Sequence, residues 1–222
     1  QLFVKQMSGM ADYERRVAQR KRLLFDAALR GLASQASAGA PLCVVEIGVG
    51  MGTNFPFLSA AGVKEVVAVE PNPYFEGRAQ DAAHKAGVGL KLQQGLAEFM
   101  PFESNSVDAV VATLVMCSVS DVSAALSEIR RVLRPGGCYI FTEHVAAPRG
   151  SMLRAAQELA NPLQRTFAGG CNLTRDPLKD VVQTFGAENV QAERWSLLGS
   201  SEALAPHFLL SPHLSGYALH PV

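Results

Sequence analysis

The chain has 222 residues, 48% of them hydrophobic and only 18% charged. An average domain carries roughly 25% charged residues, so general disorder is excluded and one large core is expected. Lysine plus arginine and aspartate plus glutamate both total 20, and a zero net charge offers no basic excess for nucleic acid.

In chain order, residues 10–34 are a predicted helix with Tyr13, Val17, Leu24, Ala28 and Leu32 at helical spacing. Its remaining surface, over residues 12–30, carries six basic side chains against three acidic ones. Two readings stay open: a surface helix packed on the domain, or a basic amphipathic helix resting on anionic membrane. The small residues from Ser34 to Pro41 read as a linker. The chain begins at Gln1, so a signal, transit segment or anchor lost upstream stays open. No apolar run approaches the roughly 20 residues that span a bilayer. The longest, Ala109 to Cys117, is interrupted by Thr113 and reads as a buried strand.

Alternation follows the linker. Leu42–Gly48, Glu65–Glu70, Gly89–Gln94, Val107–Leu114 and Cys138–His144 read as strands. Thr53–Ala61, Pro73–Ala86 and Asp121–Leu133 read as the helices between them. Strands this rich in Val, almost continuously apolar, are those of a parallel sheet covered on both faces. Alternation of this kind gives a doubly wound α/β fold. The rhythm breaks after His144. Residues 148–175 form an insertion within the single domain, 1–222, and are the candidate lid. Pro177–Phe185 is a helix, and Val190–Leu198 and Leu214–Leu219 are the last strands.

Chemistry concentrates at the ends of these strands. Gly48, Gly50 and Gly52 form a G-x-G-x-G turn that closes the first strand, with Glu46 ahead of it. The spacing is one residue shorter than the dinucleotide fingerprint, and it brings backbone close to a ligand. Glu70 ends the second strand, where a carboxylate accepts from a ribose diol. His144 ends the fifth strand and His213 precedes the last. Either imidazole is a candidate general base for an acceptor proton. Glu143 alternates to the other face of its strand. The cysteines at 43, 117, 138 and 171 form no CxxC pair. They read mostly as core residues in a reduced, intracellular chain, and no metal-ligand cluster is expected.

The order of these motifs, with Gly95 to Phe102 and Arg131 to Gly137, resembles the class I S-adenosylmethionine-dependent methyltransferases from about Leu42 to His144. Within that superfamily, Glu70-Pro71-Asn72-Pro73, Thr113 to Val119, Glu143 to Ala147, Gly170 to Arg175 and Pro212 to Ala218 look like the methyltransferase-like seven family of thiol S-methyltransferases. The resemblance implies a mostly parallel seven-stranded sheet in the order 3-2-1-4-5-7-6. It implies S-adenosylmethionine as donor, S-adenosylhomocysteine as product, a small-molecule thiol as acceptor, and no metal. The donor would meet Glu46, Gly48, Gly50, Gly52, Asn54, Glu70, Pro71, Asn72, Leu96, Ala97, Glu98, Thr113 and Leu114. Phe167, Cys171, Asn172 and Arg175 are the candidates for the acceptor pocket. Location at the endoplasmic reticulum or lipid droplets, with peripheral membrane contact through the N-terminal helix, is implied in the same way. Two alternatives stay open: carbon or oxygen methylation of a quinone-type molecule, and a non-catalytic subunit with this fold.

Overall fold

A computed structural model describes residues 11–35, 41–198 and 207–222. Met10 and most of the predicted linker lie outside the described residues. The elements are α1 (Ala11–Gln35), β1 (Val44–Ile47), α2 (Phe55–Ala60), β2 (Glu65–Val69), α3 (Glu76–Ala86), β3 (Gly89–Gln93), β4 (Val107–Thr113), α4 (Val122–Val132), β5 (Leu133–His144), α5 (Met152–Phe167), α6 (Leu178–Phe185), β6 (Val190–Ser196) and β7 (Pro212–Leu219).

The strands form one sheet in the order β3-β2-β1-β4-β5-β7-β6. The pairs from β3 through β5 are parallel, and β7 runs antiparallel between β5 and β6. This is the doubly wound fold the alternation predicts. Successive side chains of β4 and β5 go to opposite faces. Val110, Ala112, Tyr139 and Phe141 pack with Ile129 of α4 and Phe185 of α6. Ala109, Val111, Cys138 and Ile140 join Phe25 and Leu29 of α1, Leu58 of α2 and Ala83 of α3. Each fully buried Leu or Phe stabilises the fold by about 1.5–3 kcal/mol.

Three local features differ from the sequence expectation. The helix expected from Pro73 opens as a 3-10 turn, Pro73–Phe75, because Asn72 Oδ1 accepts from the Tyr74 amide. The fifth strand begins at Leu133, directly at the end of α4, rather than at Cys138. Its pairing steps from Val107↔Leu133 to Ala109↔Cys138, so Arg134 to Gly137 bulge out opposite Asp108. On α1, Tyr13, Val17, Phe25, Leu29 and Leu32 are buried. Its basic side chains are largely ion-paired within the chain: Arg15 and Arg16 with Asp12, Lys21 with Glu14, Arg30 with Asp26 and Arg20 with Glu193. The helix is therefore packed on the domain. No helix among the described residues is long and apolar enough to cross a membrane.

Gly216 lies between β5 and β6, paired with Phe141 and Ala192. A Cβ there would run into the Gln191 carbonyl oxygen and come within 2.8 Å of the Ala192 Cα. Gly216→Ala should cost about 1–3 kcal/mol, the usual range for overpacking. A lower urea midpoint at unchanged slope would show it. An unchanged midpoint would mean that β6 can shift freely.

Candidate active site

The loops at the carboxyl ends of β1, β2 and β4 surround a cleft of about 510 Å³. Gly48 and Gly50 take positive φ, +64° and +50°. A Cβ on Gly48 would lie 2.7 Å from Val115 Cγ2, so the turn packs directly on the loop after β4. A Cβ on Gly50 would meet only the Gly48 oxygen, at 3.9 Å, so this backbone has room beside it for a ligand. The Gly50 amide donates to Glu70 Oε2 and the Asn72 amide to Glu70 Oε1, both at 3.0 Å. These bonds fix the carboxylate and leave it further lone pairs, since an ionised carboxylate offers about four.

Asn54 Nδ2 crosses the floor of the cleft, donating to Glu46 Oε1 at 2.9 Å and to Thr113 Oγ1 at 3.0 Å. Glu46 Oε2 and Asn54 Oδ1 are buried with no partner among the described residues. Burial pushes the Glu46 carboxyl up to about 7. An unsatisfied buried acceptor costs roughly 1–3 kcal/mol, which makes this pair ready to take hydrogen bonds from a ligand.

The turn after β4 forms the far wall. Leu114 sits at φ +57°, in a left-handed conformation that is strained for a bulky residue. Glu143 Oε1 accepts from the Val115 and Met116 amides at 3.0 and 3.1 Å. Arg175 donates to the Met116 and Val119 carbonyls at 2.8 and 2.7 Å. The wall is thus clamped from β5 on one side and from the insertion on the other. Burial pushes Glu143, too, up to about 7.

Every predicted donor-site residue except Gly52 lines this one cleft. Gly52 lies behind it, where a Cβ would be 2.6 Å from the Phe55 ring. Glu98 lines the cleft with one oxygen engaged, accepting from the Ser120 amide at 2.6 Å. The predicted base candidates lie off the cleft lining. His144 Nε2 lies 3.1 Å from Cys171 Sγ. His213 is fully buried, with Nε2 at 3.0 Å from the Tyr13 hydroxyl and Nδ1 at 3.1 Å from the Ser211 carbonyl. Burial pushes it down to about 4. With both nitrogens engaged and Trp195 stacked on its ring at 4.5 Å, it is a packing residue rather than a base at the mouth. Of the acceptor-pocket candidates, Phe167 is exposed and Asn172 Oδ1 accepts from Thr174. Arg175 is committed to the wall. Gly169, from the same insertion, does line the cleft.

Residues 45–141 match the family model of a methyltransferase domain. The human thiol S-methyltransferase TMT1B is 36% identical over 186 residues, covering 81% of this chain and 72% of that protein. The chain belongs to the thiol S-methyltransferase family. Human TMT1A, of the same family, is 32% identical over 219 residues, 93% of this chain and 81% of that protein. The solved YcgJ protein of Bacillus subtilis shares the fold, with a TM-score of 0.62 at 20% identity over 88% of this chain and 99% of that one.

Membership of this family makes the chain an S-adenosylmethionine-dependent methyltransferase, and the cleft fits that donor. Its diol needs acceptors and its α-ammonium needs more, and the bare atoms of Glu46 and Asn54 together with the anchored Glu70 are acceptors. Spacing did not reveal Ala11 and Glu14 of α1, or Ser118, as cleft residues. The sequence holds no signal for Glu14; the structure pairs it with Lys21, a lysine whose side chain is fully buried.

The raised carboxyls make stability depend on pH. Between the ordinary 4.5 and about 7, the folded chain keeps a proton on Glu46 that the unfolded chain releases. Stability without donor therefore falls as pH rises through that window. Glu46→Gln should reduce this slope and leave the variant more stable than the parent above the window. Urea unfolding at about pH 5 and about pH 8 measures it. A variant that keeps the parent's full slope would refute the assignment of this proton to Glu46.

Proposed function

We propose that this protein methylates the sulfur of a small-molecule thiol. The observation that carries the acceptor class is the extent of the likeness to TMT1A. It takes in 93% of the chain, so it runs well past residue 141, where the general methyltransferase match stops. Bound S-adenosylmethionine would supply a methyl group on a sulfonium, whose carbon a thiolate attacks in line while the neutral thioether of the donor leaves.

The chain's own residues have three tasks. Glu70, held by the Gly50 and Asn72 amides, accepts from the ribose hydroxyls. Glu46 Oε2 and Asn54 Oδ1 accept from the α-ammonium, and ionised Glu46 adds charge complementarity. Leu96 and Ala97 border the adenine. The clamped turn from Leu114 to Val119 then holds the reacting end still. Orientation of this kind contributes roughly 7–11 kcal/mol to a bimolecular reaction. A free thiol, with a pKa of about 8.5, is already a few per cent thiolate at neutral pH, so the remaining demand for proton removal is small.

Purified protein with labelled donor should transfer label to the sulfur of small thiols in a panel that also holds phenols and quinols. Label found only on ring carbon or oxygen would replace this reading with the quinone-type one. Glu70→Ala removes a charged acceptor worth roughly 1.5–3 kcal/mol, so donor affinity should fall about 10- to 150-fold. Calorimetry that finds unchanged affinity would refute the ribose role.

A further inference from the structure

Cys117, His144 and Cys171 reach one point from three elements. Cys117 lies in the turn after β4, His144 is the last residue of β5, and Cys171 follows α5. One donor atom from each, two sulfurs and a ring nitrogen, lie within 4.8 Å of one another, and all three residues are buried. His144 Nε2 is 3.1 Å from Cys171 Sγ, while its Nδ1 is buried without a partner among the described residues. The arrangement is held by backbone. Thr113 pairs with Thr142, and the Asn172 amide donates to the Cys117 carbonyl at 2.9 Å. The Arg175 clamp joins the insertion to the same turn.

We propose that Cys117, His144 and Cys171 bind a thiophilic divalent cation, Zn²⁺, with its fourth coordination position left for the sulfur of the acceptor thiol. Two thiolates and an imidazole are a soft donor set, which selects such ions over Mg²⁺ or Ca²⁺. Tetrahedral bonds of about 2.3 Å to sulfur and about 2.0 Å to nitrogen place the donors about 3.5–3.8 Å apart; here all three lie within 4.8 Å of one another and the nitrogen is 3.1 Å from one sulfur, so small side-chain adjustments would seat the ion. No fourth His, Cys, Asp or Glu joins the group among the described residues. Three protein ligands with one position open are the pattern of catalytic rather than structural zinc. The three side chains lie off the cleft lining, but Ser118, next to Cys117, and Gly169, two residues before Cys171, do line it.

The fourth-position part rests on the thiol reading above. Coordination sends the thiol proton to water and leaves the sulfur as thiolate. Its lone pair forms the new carbon–sulfur bond, and the electrons of the breaking sulfonium bond stay on the donor sulfur. The product thioether is neutral, binds the cation weakly and leaves. No atom changes its redox state in a step that needs another reagent.

The full chain, reduced and freed of metal, is titrated with Co²⁺ alone. The expected result is one ion per chain, with a thiolate-to-cobalt charge-transfer band and tetrahedral d–d bands that Zn²⁺ abolishes. Cys171→Ala should lose the band, and the variant Cys43→Ala with Cys138→Ala should keep it. The parent spectrum decides even where a variant fails to fold. Absence of the band overturns the site and leaves a hydrogen-bonded thiol–imidazole cluster. A chain that is isolated two hydrogens lighter through a Cys117–Cys171 disulfide, and binds no Co²⁺ after reduction, overturns it as well. A small thiol, added to the cobalt form without methyl donor, should shift the d–d bands; no shift overturns the fourth-position assignment. Metal binding with no thiol methylation would instead overturn the thiol reading and leave the metal site standing.

Discussion

The parallel pairing of β1 with β4 is the constraint on which the site depends. Val44 to Ile47 lie beside Ala109 to Ala112, and the chain leaves these two strands in opposite directions across the sheet, toward β2 and toward β5. Their loops must part, and the crevice this opens is where ligands bind in doubly wound sheets. Asn54 spans the seam, bonded to Glu46 from β1 and Thr113 from β4. The floor of the cleft is therefore only as rigid as this one strand pair.

Rigidity there comes at a cost in buried polar atoms. Among the described residues, Glu46 and Glu143 each have one oxygen satisfied and one bare. Glu46 leaves its bare oxygen beside the cleft, while Glu143 fixes the turn whose residues form the far wall. Each carboxyl sits at about 7, because burial opposes its charge. Such groups are poor for stability and suited to a site that must meet a cation. The left-handed Leu114 belongs to the same pattern, as strain held in place by the bonds around it.

Much of this was legible in the sequence because it is local. Runs such as Val44-Val45 and Val110-Val111 announce strands buried on both faces, and the glycines at 48 and 50 announce a turn that needs positive φ. Glu70 could be placed because the strand end and the acidic residue are adjacent. What stayed hidden depends on contacts between distant residues. His213 meets a hydroxyl 200 positions away, on Tyr13, and so is tied down inside the molecule. Alternation along β5 suggests that Glu143 turns away from His144, but it does not reveal its partners, the amides of a different loop. Arg175 and Asn172 carry polar groups suited to a pocket, yet the backbone of the 114–119 turn and Thr174 take them up. Cys117 and Cys171 lie 54 positions apart, and only the fold puts them beside His144.

The chain contains one tryptophan, Trp195. Its indole stacks on His213, its Nε1 donates to Ser215 at 2.9 Å, and the Arg20 guanidinium lies 4.7 Å above its ring. Arg20 belongs to α1, and Tyr13 of the same helix holds the other side of His213. All the indole emission of this protein therefore originates beside the N-terminal helix. Its intensity and colour are an intrinsic optical gauge of whether that helix is docked. The same helix brings Ala11 and Glu14 to the cleft, so this intrinsic fluorophore, which needs no attached dye, is tied to an element that lines the donor site.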